Sequence, residues 1–346
     1  MEIISAAVTE VGRIELLKLE TPELGGREVL VKVHAVALCT LEQRVFKGEV
    51  RMPYPCCAGH EVAGEIAELG PSVDTKVWKR GDRVAVRLLY SCGECHECRS
   101  GRTNMCVKAQ RKPVRSGLLP GPGGCCNYVI VNSDALFSIP DDLSYEKAAL
   151  TEPLSCVVHS INRAGVNLAD DVVVIGGGIM GQLHVMLARM RGARVILSEM
   201  NPGRRELALK HGADVVVDPS QCNIVEKIRE ICGGRGADVV FNTTPVPQVF
   251  AQAVQMVARH GTMVQYSSMH PDVPVELRPQ YIHNNEINII GSISPMVQDF
   301  YTANMLLSKH LVDVSDLIEE TLPFNEAQKA YEHSVMPGKF RVIISD

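Results

Sequence analysis

Four cysteines within fifteen residues, Cys92, Cys95, Cys98 and Cys106, constrain this chain more than any other feature of its sequence. The spacing C-x2-C-x2-C-x7-C lets one short loop set its sulfurs tetrahedrally around a single zinc ion. With all four positions filled by thiolates, no vacancy remains for water or substrate, so the site is structural. Its net negative charge calls for nearby cations, and Arg99, Arg102 and Lys108 stand beside it in sequence. The alternative is a chance cluster of reduced cysteines.

A chain of 346 residues, 46% apolar and 22% charged, reads as a soluble globular protein of about two domains. Its net charge of −5 argues against a basic surface for nucleic acid or anionic lipid. One local exception is the run Lys108, Arg111, Lys112 and Arg115, read as a solvated loop or subunit contact, with an anion site as the alternative. Twelve cysteines, with an acid at Glu2 where a secretory leader would carry a base, predict a reducing, cytoplasmic compartment and metal chemistry instead of disulfides. No apolar run reaches the roughly 18 residues that spanning a bilayer requires. The expected partner is a small molecule, not nucleic acid or membrane.

The first 150 or so residues alternate short β-rich runs with Gly/Pro punctuation: 29–36, 82–86 and 127–131. That texture predicts an antiparallel barrel. From about residue 155 strands and helices alternate, with strands at 172–175, 194–197, 214–217, 238–241, 262–265 and 287–290. Helices are expected between them at 179–191, 202–211, 224–232 and 248–259. Such a series predicts an α/β, doubly wound parallel sheet of six strands covered on both faces. Beyond Ser292 a helix near 297–308 and a strand at 340–344 are expected, and their return to the first domain would make that domain discontinuous.

Gly176-Gly177-Gly178-Ile179-Met180-Gly181 has the form G-x-G-x-x-G, directly after a strand and opening a helix. Gly176 permits the tight turn, Gly178 lets backbone approach a pyrophosphate, and Gly181 allows close helix–strand packing. Amides at the helix start, including those of Ile179 and Met180, would meet the phosphates at the positive end of the dipole. Glu199, 23 residues after Gly176, would accept the adenosine ribose hydroxyls and repel a 2′-phosphate. This favours NAD over NADP, against which Arg204 and Arg205 stand as possible phosphate partners. A glycine-rich turn without a ligand is the alternative.

Cys39, His60, Glu61 and Glu152 form a second candidate set, able to hold Zn2+ with one position open to a substrate oxygen. Taken singly, each is more commonly explained as a lone buried cysteine or a histidine or carboxylate satisfied in the core. Together with Gly59-His60-Glu61, the cysteine quartet, Glu152-Pro153-Leu154, the glycine turn and Glu199, they resemble the zinc-dependent medium-chain dehydrogenases, in the expected order and over nearly the whole chain. The resemblance implies a GroES-like catalytic domain over 1–153 and 293–346, carrying a zinc lobe at about 90–110, and a Rossmann domain over 154–292. It further implies a catalytic zinc at the cleft between them, held by Cys39 and His60 with Glu61 adjoining, and a homodimer or homotetramer. Glutamate at 152, where alcohol dehydrogenases carry a second cysteine, resembles the polyol (sorbitol-type) branch. One thiolate and one carboxylate neutralise Zn2+, so one glutamate is expected on the metal and the other through water or in an alternate state.

The implied activity is hydride transfer from a secondary alcohol of a polyol, sugar or amino-alcohol to NAD. Two departures bear on it. Leu41 occupies the position where the family carries a proton-relaying hydroxyl, leaving Thr40, Glu42 or water for that role, and the arginine–tyrosine pair common in polyol dehydrogenases is absent near 292–295. The competing readings are a zinc-dependent aldehyde or ketone reductase and a catalytically silent nucleotide-binding sensor of the same fold.

Overall fold

The structure is a computed structural model that describes residues 2–50, 52–109 and 115–346. Arg111 and Lys112 of the basic run therefore lie outside the described residues. The chain divides into two compact units, Met1–Ser155 with Pro295–Asp346, and Cys156–Ser294.

In chain order the first unit carries β1 (Ile3–Glu10), β2 (Arg13–Leu19), β3 (Glu28–Leu38), α1 (Thr40–Phe46), β4 (Glu61–Leu69), β5 (Arg83–Arg87), α2 (His96–Arg99), β6 (Tyr128–Asn132), β7 (Leu136–Ser138) and α3 (Tyr145–Ala149). Helix α4 (Thr151–Ala164) contains the boundary between the units. The second unit follows with β8 (Asp171–Ile175), α5 (Ile179–Met190), β9 (Arg194–Ser198), α6 (Pro202–Lys210), β10 (Val215–Val217) and α7 (Ile224–Ile231). It continues through β11 (Ala237–Asn242), α8 (Pro247–Met256), β12 (Val257–Gln265), α9 (Pro279–Asn285) and β13 (Asn288–Gly291). Helix α10 (Val297–Ser308), strand β14 (Ile318–Pro323), helix α11 (Ala327–Ser334) and strand β15 (Arg341–Ser345) return to the first unit.

The first unit is a folded-over sheet of order β14-β15-β3-β4-β5-β7, with β6 added on β3 and β1-β2 forming a separate hairpin. Its apolar face packs Val31, Val36, Leu38, Val62, Ile66, Val84 and Val86 with Phe46 and Tyr331. Strands β14 and β15 complete it from the far end of the sequence. The β14 segment and α11 are not visible as sequence patterns, because β14 alternates burial with exposed acids and α11 is short.

The second unit is a parallel sheet of order β10-β9-β8-β11-β12-β13. Counted from β8, this is the 3-2-1-4-5-6 order of a doubly wound dinucleotide fold. Val172, Val173 and Val174 are fully buried, as a strand covered on both faces requires. The helix expected to run to Arg259 ends at Met256, because the backbone extends from Val257 to pair with Ala237.

Candidate active site and metal centres

Strand pairing assembles the first site. Strand β3 ends at Leu38 and β4 begins at Glu61, and in their antiparallel ladder Ala37 faces Glu61. Cys39 and His60, one residue beyond each end, are thereby brought side by side, with Cys39 Sγ 3.5 Å from His60 Nε2. Gly59 makes this approach possible. Its φ is +89°, and a side chain there would begin 2.6 Å from the Cys125 backbone nitrogen. Glu152, in the first turn of α4, places Oε2 4.0 Å from the same Nε2. The donor atoms of His60, Glu61 and Glu152 lie within 4.8 Å of one another.

The two nitrogens of His60 have separate duties. Nε2 faces Cys39 and Glu152, whereas Nδ1 stands 2.9 Å from Glu42 Oε1. Glu42 is wholly buried and also accepts the Gly59 amide at 2.9 Å and, as the capping-box acid of α1, the Cys39 amide at 3.1 Å. A carboxylate on Nδ1 fixes the tautomer that leaves Nε2 free for a metal. Burial works against ionised Glu42, yet His60 and the amide donors hold its pKa down to about 2. Its described contacts are the Gly59 and Cys39 amides, from which it accepts, and His60 Nδ1. Thr40 is solvent-exposed at the start of α1. Leu41 packs on the barrel core and donates its amide to Cys39 Sγ at 3.3 Å.

Glu61 is met from an unanticipated quarter. Both of its oxygens are bound by Arg341 of β15, at 2.9 and 2.5 Å, and both residues are buried. Burial and the neighbouring Glu152 raise the Glu61 carboxyl to about 7 against the pull of Arg341. The Cys39 thiol is pushed up to about 12, mainly by burial and then by Glu42. In physical terms the pocket asks for a cation. Tetrahedral zinc, with Zn–N near 2.05 Å and Zn–S near 2.3 Å, would set N and S about 3.6 Å apart. The observed 3.5 Å between Cys39 and His60 fits that geometry.

The four sulfurs of Cys92, Cys95, Cys98 and Cys106 also lie within 4.8 Å of one another, with Cys92 and Cys98 4.0 Å apart. A Zn(Cys)4 tetrahedron has S–S edges of about 3.8 Å. Backbone amides supply the compensating charge: Cys92 donates to Cys106 Sγ, Cys95 to Cys92 Sγ and Cys98 to Cys95 Sγ. Lys108, paired with Glu94 at 3.4 Å, also interacts electrostatically with Cys92, and Arg102 pairs with Glu97 at 2.7 Å. Arg115 likewise pairs with Glu28.

In the second unit the glycine turn joins β8 to α5, with Gly178 as the N-cap. A side chain at Gly181 would begin 1.9 Å from the Gly176 carbonyl oxygen, so only glycine permits that crossing. No described atom stands within 4 Å of a Cβ built on Gly178, and backbone there is open to a ligand. Glu199 follows β9 and accepts the Gly177 and Asn201 amides at 2.5 and 2.8 Å, which aims its carboxylate at the turn. Arg204 packs its Cβ over Gly177. Arg205 is committed to Asp218 and to the Glu199 and Met200 carbonyls.

Comparison with known proteins agrees with this architecture. Residues 25–141 match the alcohol dehydrogenase GroES-like domain and residues 180–309 the zinc-binding dehydrogenase domain. D-arabitol-phosphate dehydrogenase of Enterococcus avium is 31% identical over 96% of this chain and 94% of its own. Sorbitol dehydrogenase of Bacillus subtilis is 32% identical over 92% of this chain and 91% of its own. A zinc-binding dehydrogenase structure from Sinorhizobium meliloti, bound to NADP, superposes with a TM-score of 0.91 at 29% identity over 100% of both chains. The chain belongs to the zinc-dependent medium-chain dehydrogenase family. Within it, the chain falls in the polyol dehydrogenase branch and is an NAD(P)-linked oxidoreductase of secondary alcohols. No helix among the described residues is long and apolar enough to cross a membrane.

Proposed function

We propose that the chain oxidises a secondary alcohol bearing a neighbouring hydroxyl or amine, with NAD as acceptor and two zinc ions per chain. Cys39, His60 and Glu152 would hold the catalytic ion, and Cys92, Cys95, Cys98 and Cys106 the structural one. The observation that carries this is the sorting of His60: Nε2 faces Cys39 and Glu152 while Glu42 takes Nδ1. When bound, zinc would lower the pKa of the alcohol hydroxyl so that its proton passes to solvent, and NAD would accept the hydride of the carbinol C–H bond, leaving the ketone.

The chain's own residues set the conditions for that step. Glu42 holds the imidazole in one tautomer and orientation. Arg341 engages both Glu61 oxygens, so that Cys39 and Glu152 alone bring charge to the metal and the site stays electrophilic. Glu61 keeps the alternate role of a carboxylate released from Arg341. Glu152 adds a carboxylate oxygen able to accept from a second hydroxyl or an amine of the substrate. Glu199 supports NAD by offering carboxylate oxygens beside Gly177, and the commitments of Arg205 support the same choice by keeping it from a 2′-phosphate. A homodimer or homotetramer rests on the family resemblance alone, a cytoplasmic setting on the cysteine content, and sedimentation decides the assembly.

The test is kcat/KM, read by NADH absorbance, for 2-propanol, a vicinal diol, a cyclic polyol and a polyol phosphate, with zinc analysis of the same sample. The diol and polyols should exceed 2-propanol by about tenfold or more. Preference for the monoalcohol, or one zinc in fully active protein, would refute the reading.

A further inference from the structure

Arg87 closes β5 and stands directly opposite Glu61 in the β4–β5 ladder. Directly paired residues of antiparallel strands project to one face with their Cβ atoms about 5 Å apart. Arg87 and Glu61 therefore leave the sheet side by side, yet Arg341 occupies both Glu61 oxygens. Arg87 is only 7% exposed, and its Nε and Nη2 are buried without a hydrogen-bond partner among the described residues. These two donors are not scattered. They form one edge of the guanidinium, with parallel N–H bonds spaced for two oxygens of a single carboxylate or phosphate.

Arg87 lines a cavity of about 280 Å3 whose other lining residues include Tyr90 and Ser91. No acid of that lining hydrogen-bonds the guanidinium: Glu28 is paired with Arg115, and Asp134 is solvent-exposed. Burial draws the Arg87 pKa down, while Asp134, Glu152 and Cys98 draw it back through space. A buried guanidinium with unmet donors is among the costlier arrangements in a fold, and a site that receives an anion accounts for it.

We propose that Arg87 is a specificity-determining anchor for an oxyanion group, phosphate or carboxylate, carried by the substrate. This rests on the dehydrogenase reading above and narrows its substrate class from neutral polyols to phosphorylated or carboxylated ones. Tyr90 and Ser91 supply further donors to the same group. The alternative source of this chemistry is a free inorganic anion acting as an effector.

The experiment uses the zinc-loaded protein, the variants Arg87→Met and Arg87→Lys, and inorganic phosphate as probe. Calorimetric titration should show phosphate binding that weakens tenfold or more in Arg87→Met and less in Arg87→Lys. In steady state, phosphate should compete with the alcohol, and a polyol phosphate should exceed the unphosphorylated polyol in kcat/KM by tenfold or more. Arg87→Met should erase that ratio through KM, with kcat for the phosphorylated substrate changed only a few-fold. Removing an unpaired buried charge should leave Tm equal or higher, and phosphate should raise Tm in the unmutated protein alone. Unchanged phosphate affinity in Arg87→Met, a lowered Tm, or inhibition not competitive with the alcohol would each overturn the proposal. If no alcohol is oxidised at all, the catalytic reading fails while the titration still decides whether Arg87 binds the anion.

Discussion

Glu42→Gln isolates the role of the carboxylate behind His60. Glu42 accepts three N–H groups, from Gly59 at 2.9 Å, His60 Nδ1 at 2.9 Å and Cys39 at 3.1 Å. Alanine would strand all three, and at about 1–3 kcal/mol each the loss approaches the whole stability of a domain. Glutamine keeps the shape. Its oxygen can still serve Gly59 and His60, but its amide then meets the Cys39 N–H donor to donor, costing about 1–3 kcal/mol at the start of α1. The imidazole also loses the negative charge that raises its basicity. Carboxylates placed behind metal-bound histidines change metal affinity by about 10–100-fold, or roughly 1.4–2.7 kcal/mol. Competition against a chromogenic chelator reads this directly, with the four-cysteine site as an internal reference that should not move. If the weaker zinc of a folded Glu42→Gln protein is held within twofold of the unmutated value, the assignment of Glu42 is wrong.

Three further outcomes are expected. Cys92→Ser should lose one zinc and lower the thermal midpoint, with the other zinc retained; unchanged metal content and Tm would remove the structural site. Glu199→Ala should narrow or invert the ratio of kcat/KM for NAD over NADP, and an unmutated protein that uses both cofactors equally would count against Glu199. His184, wholly buried with Nδ1 on the Met180 carbonyl and Nε2 on Ser160 Oγ, has its pKa lowered by burial from 6.5 to about 4. Its neutral form thus contributes stability that is complete above pH 6.5 and is lost as pH falls towards 4. The loss is on the order of 3 kcal/mol, and denaturant midpoints at pH 7.5 and 5 should show a slope that His184→Gln flattens.

How much of this was legible in the sequence depended on how locally each feature is encoded. The four cysteines and the Gly176–Gly181 turn are written within single loops, where spacing alone sets geometry. Strands such as β8 announce themselves because both faces are buried and Val172–Ile175 are all apolar. The catalytic set is different in kind. Cys39, His60 and Glu152 are brought together by a ladder between β3 and β4 and by the first turn of α4, and only family resemblance joined them in advance. Arg341 was out of reach because its partner lies 280 residues away and β15 pairs with a strand from the other end of the chain. Glu42 was visible only as a candidate, since its acceptor role depends on amides of Cys39 and Gly59 that no side-chain pattern reveals.

The same distribution of charge explains why this pocket suits a divalent cation. Four acidic groups, Cys39, Glu42, Glu61 and Glu152, are buried in one small region of the first unit. Left alone they would repel one another and resist ionisation. Glu42 is satisfied by His60 and two amides, and Glu61 by the planar fork of Arg341. Cys39 and Glu152 both face His60 Nε2, and their two potential charges match those of Zn2+. Burial pushes the Cys39 thiol up to about 12, and a positive ion sharing the pocket would favour its thiolate. Arg87 stands next in the row beyond Glu61 with two buried N–H groups unpaired. The barrel therefore presents two separate demands along one line of the sheet, a cation beside His60 and an anion beside Arg87. A substrate whose hydroxyl joins the first and whose oxyanion meets the second would satisfy both at once.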